Sequence, residues 1–501
     1  MLRSPLRLLN ARFGPRVSKV TRREMLRASV AAGAALMLSG MAVGLPMTRR
    51  GRDSGKRVVV IGAGFAGLAC AYELRAAGMD VVVLEARDRL GGRVLSFGPG
   101  HGDEFIKGRT VEGGGELIGT NHPLWCAYAE KFKLERLPIV EADGLTFPIV
   151  IGGKRLEDKA ASDLWDSLLK ALNTMNALAA PVDADRPWLT PGAKSLDART
   201  IQSWIDGLDA DAMVKRACWI NQCADNGVDP SSASLLGQLA AVKGGGLEKF
   251  WSETEAWRCK GGNSTLAKKL AAEIGDDRIH LNAPVMRVEA AEAGLTVRSK
   301  DERTFKCDDV VLAIPPSVWG TIEFEPGLPT GLRPRMGANV KYLSHTDSRF
   351  WIPAKVSADA LSDGPVNMTW DATTGQEGEA DGCLTSFSGG PSAKLCAEFP
   401  ADRRDSEYGK LLGQMYPKWS DHFVKSRFMD WPKDPWTRAS YSFPAPGEVT
   451  TAGPLLAAGA MVKDGRARLH FAGEHACPKF VGYMEGALHS GVRVARTIAG
   501  K

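Results

Sequence analysis

An α/β fold built on a parallel sheet buried on both faces is what this 501-residue sequence predicts, and three observations predict it. The first is an unbroken β-branched run, Val58-Val59-Val60-Ile61, with no polar alternation, the mark of a strand covered on both sides. The second is the turn Gly62-Ala63-Gly64-Phe65-Ala66-Gly67, which leads at once into good helix formers from Leu68 to Ala77. The third is another buried run, Val81-Val82-Val83-Leu84, after a helix-ending Gly78. Strand, helix and strand thus follow one another within about thirty residues, the length of a βαβ unit.

Each residue of that turn has a physical task. Gly62 lets the chain reverse sharply, Gly64 lets backbone approach a pyrophosphate, and Gly67 lets helix pack closely on strand. Phe65 and Ala66 stand in the turn as expected cofactor contacts, ahead of a helix whose first N–H groups lack intrahelical acceptors and present a partial positive charge to the phosphates. Glu85 ends the second strand eighteen residues after Gly67, placed to accept hydrogen bonds from a ribose diol. Glycine spacing alone is weak evidence. With a strand before it, a helix after it and an acid at the next strand end, it points to a bound dinucleotide.

The segment Glu85-Ala86-Arg87-Asp88-Arg89-Leu90-Gly91-Gly92-Arg93 resembles the extension that marks the flavin amine oxidase family and its GR2-like relatives. That resemblance implies FAD rather than NAD, with Glu85, Ala86, Arg87, Gly92 and Arg93 among its contacts, because guanidinium pairs bidentately with phosphate. It continues down the chain. Val111 to Gly119 is similar to the family segment beside the flavin ring, which brings in Gly114, Gly115 and Glu116. Trp257 to Leu266 resembles the Gly-Gly segment that opens a helix from Leu266 to Ala272. The run Ile279 to Val285 resembles a strand whose backbone meets the adenine at Val285, and Asp309 to Pro316 resembles the returning strand and turn. Near the C-terminus, Leu469 to His475 resembles a strand ending in Gly473-Glu474, where the acid holds the ribityl chain; His475 reads as its structural neighbour. Gly482 to Gly491 resembles the start of the last helix, with the Met484 N–H directed at the flavin pyrimidine.

The implied fold is a discontinuous FAD-binding Rossmann-type domain (55–125, 256–325 and 455–501) with an α+β substrate-binding domain from 126–255 and 326–454. Apolar residues at helical spacing predict a helix from Ala160 to Ala179, and Asn339 to Leu343 reads as a strand. The resemblance also implies amine oxidation by hydride transfer from the carbon next to nitrogen. Lys341 resembles the family lysine that holds a water against flavin N5, and Tyr483 resembles one wall of the aromatic pair around the amine. The opposite wall falls at Ser440, beside Tyr441, and Ala439 falls where monoamine oxidases attach flavin through cysteine. Alanine cannot form a thioether, so noncovalent FAD is expected.

Glu116 stands where amino acid oxidases of the superfamily have an arginine nearby, which favours a primary amine or polyamine over an amino acid. An equal alternative has Glu116 serve only the cofactor or cap a helix. An L-amino acid oxidase, an amine dehydrogenase using a redox carrier instead of oxygen, a desaturase, and a noncatalytic FAD-binding protein remain alternatives.

Composition narrows the partners. Hydrophobic content of 44% and charged content of 24% are globular averages. The net charge of +6 comes from residues 1–54, where eleven Lys or Arg face Glu24 and Asp53, so the remaining body is acidic and no nucleic-acid partner is expected. Arg22-Arg23 followed by the uncharged run Ala28 to Thr48 resembles a twin-arginine signal, which implies export by that translocation machinery to the periplasm or medium; a single membrane anchor is the alternative. Nine cysteines without close CxxC pairs suggest no metal site; Cys218 and Cys223 could pair, and a homodimer is left open.

Overall fold

In the computed structural model, residues 55–139, 144–291, 294–377, 381–463 and 465–500 are described; the expected leader lies outside them. Arg57–Ile61 is the centre of a six-stranded sheet. It pairs in parallel with Asp80–Leu84 on one side and with Asp309–Leu312 on the other. Ile279–His280 extends one edge, and Arg466–Phe471 with Ala460–Lys463 extends the other. The strands therefore come from three distant stretches of chain.

Side chains of the central strand alternate between two cores. Val58 and Val60 join a cluster with the helices Phe65–Ala76, Ser264–Ile274 and Met484–Ala499. Val59 and Ile61 face a second cluster, built on a four-stranded sheet that includes Val285–Ala291 and Gly294–Ser299, and on the helix Glu448–Ala458. Burial on both faces is why the strand reads as apolar throughout. The last helix crosses the first at close range: a Cβ on Gly491 would lie 2.2 Å from the Ala66 carbonyl oxygen.

The expected strand from Ile279 to Val285 is two strands. Asn282 has φ +54° and Pro284 follows, so the chain turns and Val285 starts a strand of the other sheet. The expected helices run slightly longer than the sequence suggests, as Ser264–Ile274 and Asp158–Ala179.

A separate seven-stranded sheet runs in the order Phe423–Asp430, Asn339–Thr346, Gly382–Gly389, Met368–Asp371, Ala360–Ser362, Ile149–Ile151 and Lys154–Arg155. Its register sets Lys341 opposite Phe387 on one side and Met429 on the other. The helices Asp158–Ala179, Ala212–Asn226 and Leu235–Gly244 pack around one core with residues of this sheet. All nine cysteines are free, so Cys218 and Cys223 do not pair. Among the described residues no helix is long and apolar enough to cross a membrane.

Candidate active site

A cavity of about 1390 Å³, counted with its open mouth, lies between the two sheets. From the parallel sheet it is lined by Gly62, Gly64, Phe65, Ala66, Glu85, Ala86, Arg87, Gly92 and Arg93. Val285, Gly473, Glu474, Tyr483 and Met484 add a second wall, and Gly114, Gly115, Lys341, Phe387, Trp431 and Tyr441 a third. Residues expected from sequence to meet one cofactor thus converge from at least four distant segments. Gly67 and Glu116 do not line the cavity.

The glycine turn has the form its spacing suggests. Gly62 adopts φ +103°, and a Cβ there would press on Ala313 backbone and Ile314 at 2.8 Å. Gly67 lies beneath the turn, where a Cβ would sit 1.9 Å from the Gly62 carbonyl oxygen; it is a packing position, not a cofactor contact. A Cβ on Gly64 would meet no protein atom within 4 Å. That open space, beside the unpaired N–H groups at the helix start, is what an approaching pyrophosphate needs.

Glu85 accepts hydrogen bonds from the backbone N–H of Ala63 at 2.7 Å and of Arg87 at 2.9 Å. A carboxylate offers about four lone-pair sites, so a diol can still be accepted. Arg87 donates to Asp434 and Thr437. Arg93 donates to the Ser440 carbonyl and to Glu474, both at 2.8 Å. Glu474 also accepts from Gly482 N–H and from Ser442, so one acid ties together three segments of the wall. Burial pushes its carboxyl up, but the Arg93 guanidinium and the hydrogen bond from Ser442 outweigh that and hold it below its ordinary value. Ser440 Oγ and both ring nitrogens of His475 are buried without a hydrogen-bond partner in this wall. Open glycine backbone, free helix N–H groups and orphaned polar atoms together fit a bound dinucleotide such as FAD.

Glu116 departs from both roles suggested for it. It is fully buried, with Oε1 accepting from Arg258 Nε at 2.8 Å and Trp370 Nε1 at 2.9 Å, and Oε2 from Lys341 Nζ at 3.0 Å. Burial raises its carboxyl, but Lys341 and Arg258 overcome that and bring it to about 2. A carboxylate so neutralised, outside the cavity, neither attracts a substrate cation nor touches the cofactor. It is the counter-ion of Lys341.

Lys341 does line the cavity, but its ammonium also donates to the carbonyls of Gly114 at 2.8 Å and Glu112 at 3.3 Å. Three acceptors match its three protons. As placed, it has no N–H left for a water, and its contribution is a fixed positive charge. Glu112, held by Asn263 N–H and Ser96 Oγ, is pushed up to about 7 by burial against these hydrogen bonds. Arg258, Trp370 and Glu112 were not legible as a group, because Arg258 and Glu116 are 142 residues apart.

Tyr483 and Tyr441 both line the cavity, so Tyr441 supplies the second aromatic side chain where the count along the sequence points to Ser440. Tyr441 donates its hydroxyl to the Ala224 carbonyl, which anchors the ring to the helix Ala212–Asn226. Ala439 itself is buried outside the lining. Burial holds both phenols well above their usual range, and the carboxylates of Asp225 and Glu255 raise them further. Asp225 lies in the last turn of that same helix, and burial pushes its carboxyl up to about 7. No motif marks these two acids; only the folded chain brings their charges to act on the tyrosines.

Comparison with known proteins agrees with this geometry. The sequence model described as flavin containing amine oxidoreductase matches residues 65–499. The chain belongs to this family. It is therefore an FAD-dependent oxidoreductase acting on amines. Among relatives, it is 26% identical to a probable flavin-containing monoamine oxidase A from Dictyostelium discoideum, over 89% of this chain and 97% of the other. It is 28% identical to an L-amino acid dehydrogenase from Synechocystis sp., over 88% and 94%. Cyclohexylamine oxidase from Brevibacterium oxydans has the same fold, with a TM-score of 0.78 and 27% identity across 89% of this chain and 99% of that one. Putrescine oxidase superposes with a TM-score of 0.77 at 24% identity, over 89% and 99%, a likeness of fold.

Proposed function

We propose that this member of the family oxidises a simple amine, without a carboxylate, using noncovalently held FAD. One observation carries the reading: among the described residues, the arginines and lysine lining the cavity are all paired within the protein, and the carboxylates of Asp225 and Glu255, behind its lining, act through space on both tyrosines. A chamber of that character favours an ammonium and repels a carboxylate. Tyr441 and Tyr483 offer aromatic surfaces to the amine. Lys341 supports the far wall with its charge, and the Met484 N–H begins the last helix at the cavity. FAD, when bound, supplies the hydride acceptor for the C–H bond next to nitrogen. Oxygen or a redox carrier then takes the electrons from the reduced flavin.

Anaerobic mixing of the yellow protein with simple amines, polyamines and L-amino acids tests this. Amines should bleach the flavin and oxygen should restore it; bleaching by L-amino acids alone would move the chain to the reading suggested by its dehydrogenase relative. Slow recovery in air would favour a redox carrier.

Asp225 makes a sharper prediction. Its carboxyl ionises near 7, so attraction for a cationic amine strengthens as pH rises through that value. Asp225→Asn should raise KM about tenfold, roughly 1.4 kcal/mol, and flatten the step near neutral pH in kcat/KM. An unchanged KM and profile would remove Asp225 from substrate recognition.

No cysteine lines the cavity among the described residues, which supports noncovalent FAD. Acid precipitation should leave the yellow colour in the supernatant, and colour retained on the washed polypeptide would refute it. The Arg22-Arg23 pair supports export by the twin-arginine route. Replacing both with lysine should hold the protein in the cytoplasm; unchanged export would refute that route.

A further inference from the structure

A second cavity, about 1200 Å³ with its open mouth, lies behind the cofactor wall and shares only His475 with the first. Its surface is mostly apolar and includes Trp188, Phe443, Val449, Leu456 and Val481. The charged groups at its edge are largely satisfied: Lys479 pairs with Asp185 at 2.7 Å, and Glu448 accepts from Ala445 N–H at 2.7 Å.

Arg493 is different. It follows His489 by four residues on the last helix, so both side chains lie on one face of it, and both line this cavity. Its guanidinium makes one long hydrogen bond, 3.4 Å to the Ala476 carbonyl. The acid that acts on it through space is Asp185, already held by Lys479. Partial burial of the guanidinium pulls its pKa down, and no carboxylate forms an ion pair with it among the described residues. Burial also drives His489 down to about 3 and His475 down to about 4, so both imidazoles are neutral and each keeps one N–H donor. The groups here without strong partners are thus donors beside an apolar chamber, and the complement of that pattern is an anion with an apolar body.

We propose that this second cavity is an effector site for a small amphipathic carboxylate, its head on Arg493 and His489 and its apolar body against Trp188, Val449 and Leu456. The coupling to the cofactor runs through the chain from Gly473 to Tyr483. His475 stands in both cavities, and its neighbour Glu474 holds Arg93 and Gly482 in the cofactor wall. A ligand that displaces the His475 ring therefore acts on the cofactor wall without entering it.

Octanoate titrated into the FAD-loaded full chain, followed by calorimetry and Trp fluorescence, tests the site without amine turnover. Its result is separate from whether the chain oxidises simple amines. Saturable binding is expected, at least tenfold tighter than that of 1-octanol, with a shift in the flavin absorbance. Arg493→Gln should weaken octanoate at least tenfold and leave octanol unchanged. Ala452→Phe, which narrows the chamber, should weaken both, and it keeps the test open if the arginine variant does not fold. No saturable binding of octanoate, butyrate or phenylacetate would overturn the site. So would binding that both variants leave within twofold. Binding with no change in flavin absorbance or turnover would overturn the effector role.

Discussion

Gly64→Ala should give a folded protein that loses its flavin readily, whereas Gly67→Ala should give little folded protein at all. The two glycines are three residues apart in one motif, and their surroundings set opposite outcomes. Gly64 has φ −75° and ψ 177°, values alanine adopts freely, and a Cβ there meets no protein atom within 4 Å. Its methyl group enters only the space read as the pyrophosphate seat. Stability of the cofactor-free protein should change by less than about 0.5 kcal/mol. The FAD dissociation constant should rise at least about tenfold, roughly 1.4 kcal/mol. At Gly67 the added carbon falls 1.9 Å from the Gly62 carbonyl oxygen, and both are backbone-bound, so the helix or the turn must move. A loss above about 4 kcal/mol is expected, from overpacking in a place that cannot relax. Thermal melts of flavin-free protein and FAD titrations check both. Tight FAD binding by the Gly64 variant would mean that the cofactor phosphates lie elsewhere.

Lys341→Met should be the most damaging change that leaves the cavity shape nearly intact. It removes the ammonium that joins Glu116 to the carbonyls of Gly114 and Glu112. Breaking one partner from a buried pair costs about 3–5 kcal/mol, and loss of a fixed charge beside the reacting centre costs about 10²-fold in turnover. The pH dependence has a definite sign. Glu112 has its folded value raised from 4.5 to about 7, so the native state holds more protons across that interval and this group lowers stability as pH rises through it. Lys341 pulls that value down, so in the variant the decline should reach higher pH. Glu116 works the other way: its carboxyl is lowered to about 2, and the stability it gives is present above about 4.5 and lost as pH falls. Removing Lys341 weakens that contribution too. Melting curves at acidic, neutral and mildly alkaline pH read both effects. Adding Glu116→Gln to Lys341→Met should recover part of the stability, as expected for two halves of one pair. A single variant that melts like the parent at every pH would show that the lysine carries no such charge balance.

The part of the site that local structure places is legible in the sequence, and the part that packing assembles is not. Gly62, Gly64 and Glu85 sit on the cavity because the turn, the helix start and the strand end are local structures, each set by residues within one βαβ unit. Trp257 to Leu266 likewise marked a helix start, found at Ser264. Glu116 was placed beside the cofactor in sequence, but its contacts are Arg258, Lys341 and Trp370, and none of these is near it along the chain. Tyr441 supplies the aromatic side chain beside Ser440, where the resemblance points, and its hydroxyl bond to Ala224 depends on where the helix Ala212–Asn226 lies.

The nucleotide-binding frame follows from short segments of sequence, because glycine conformation, buried β-branched strands and helix-terminal N–H groups are local properties. Which charges act on the cavity depends on how distant segments pack. A carboxylate or ammonium is neutralised by whatever ion reaches it in low dielectric, and that partner is supplied by packing between distant segments, not by neighbours in the chain.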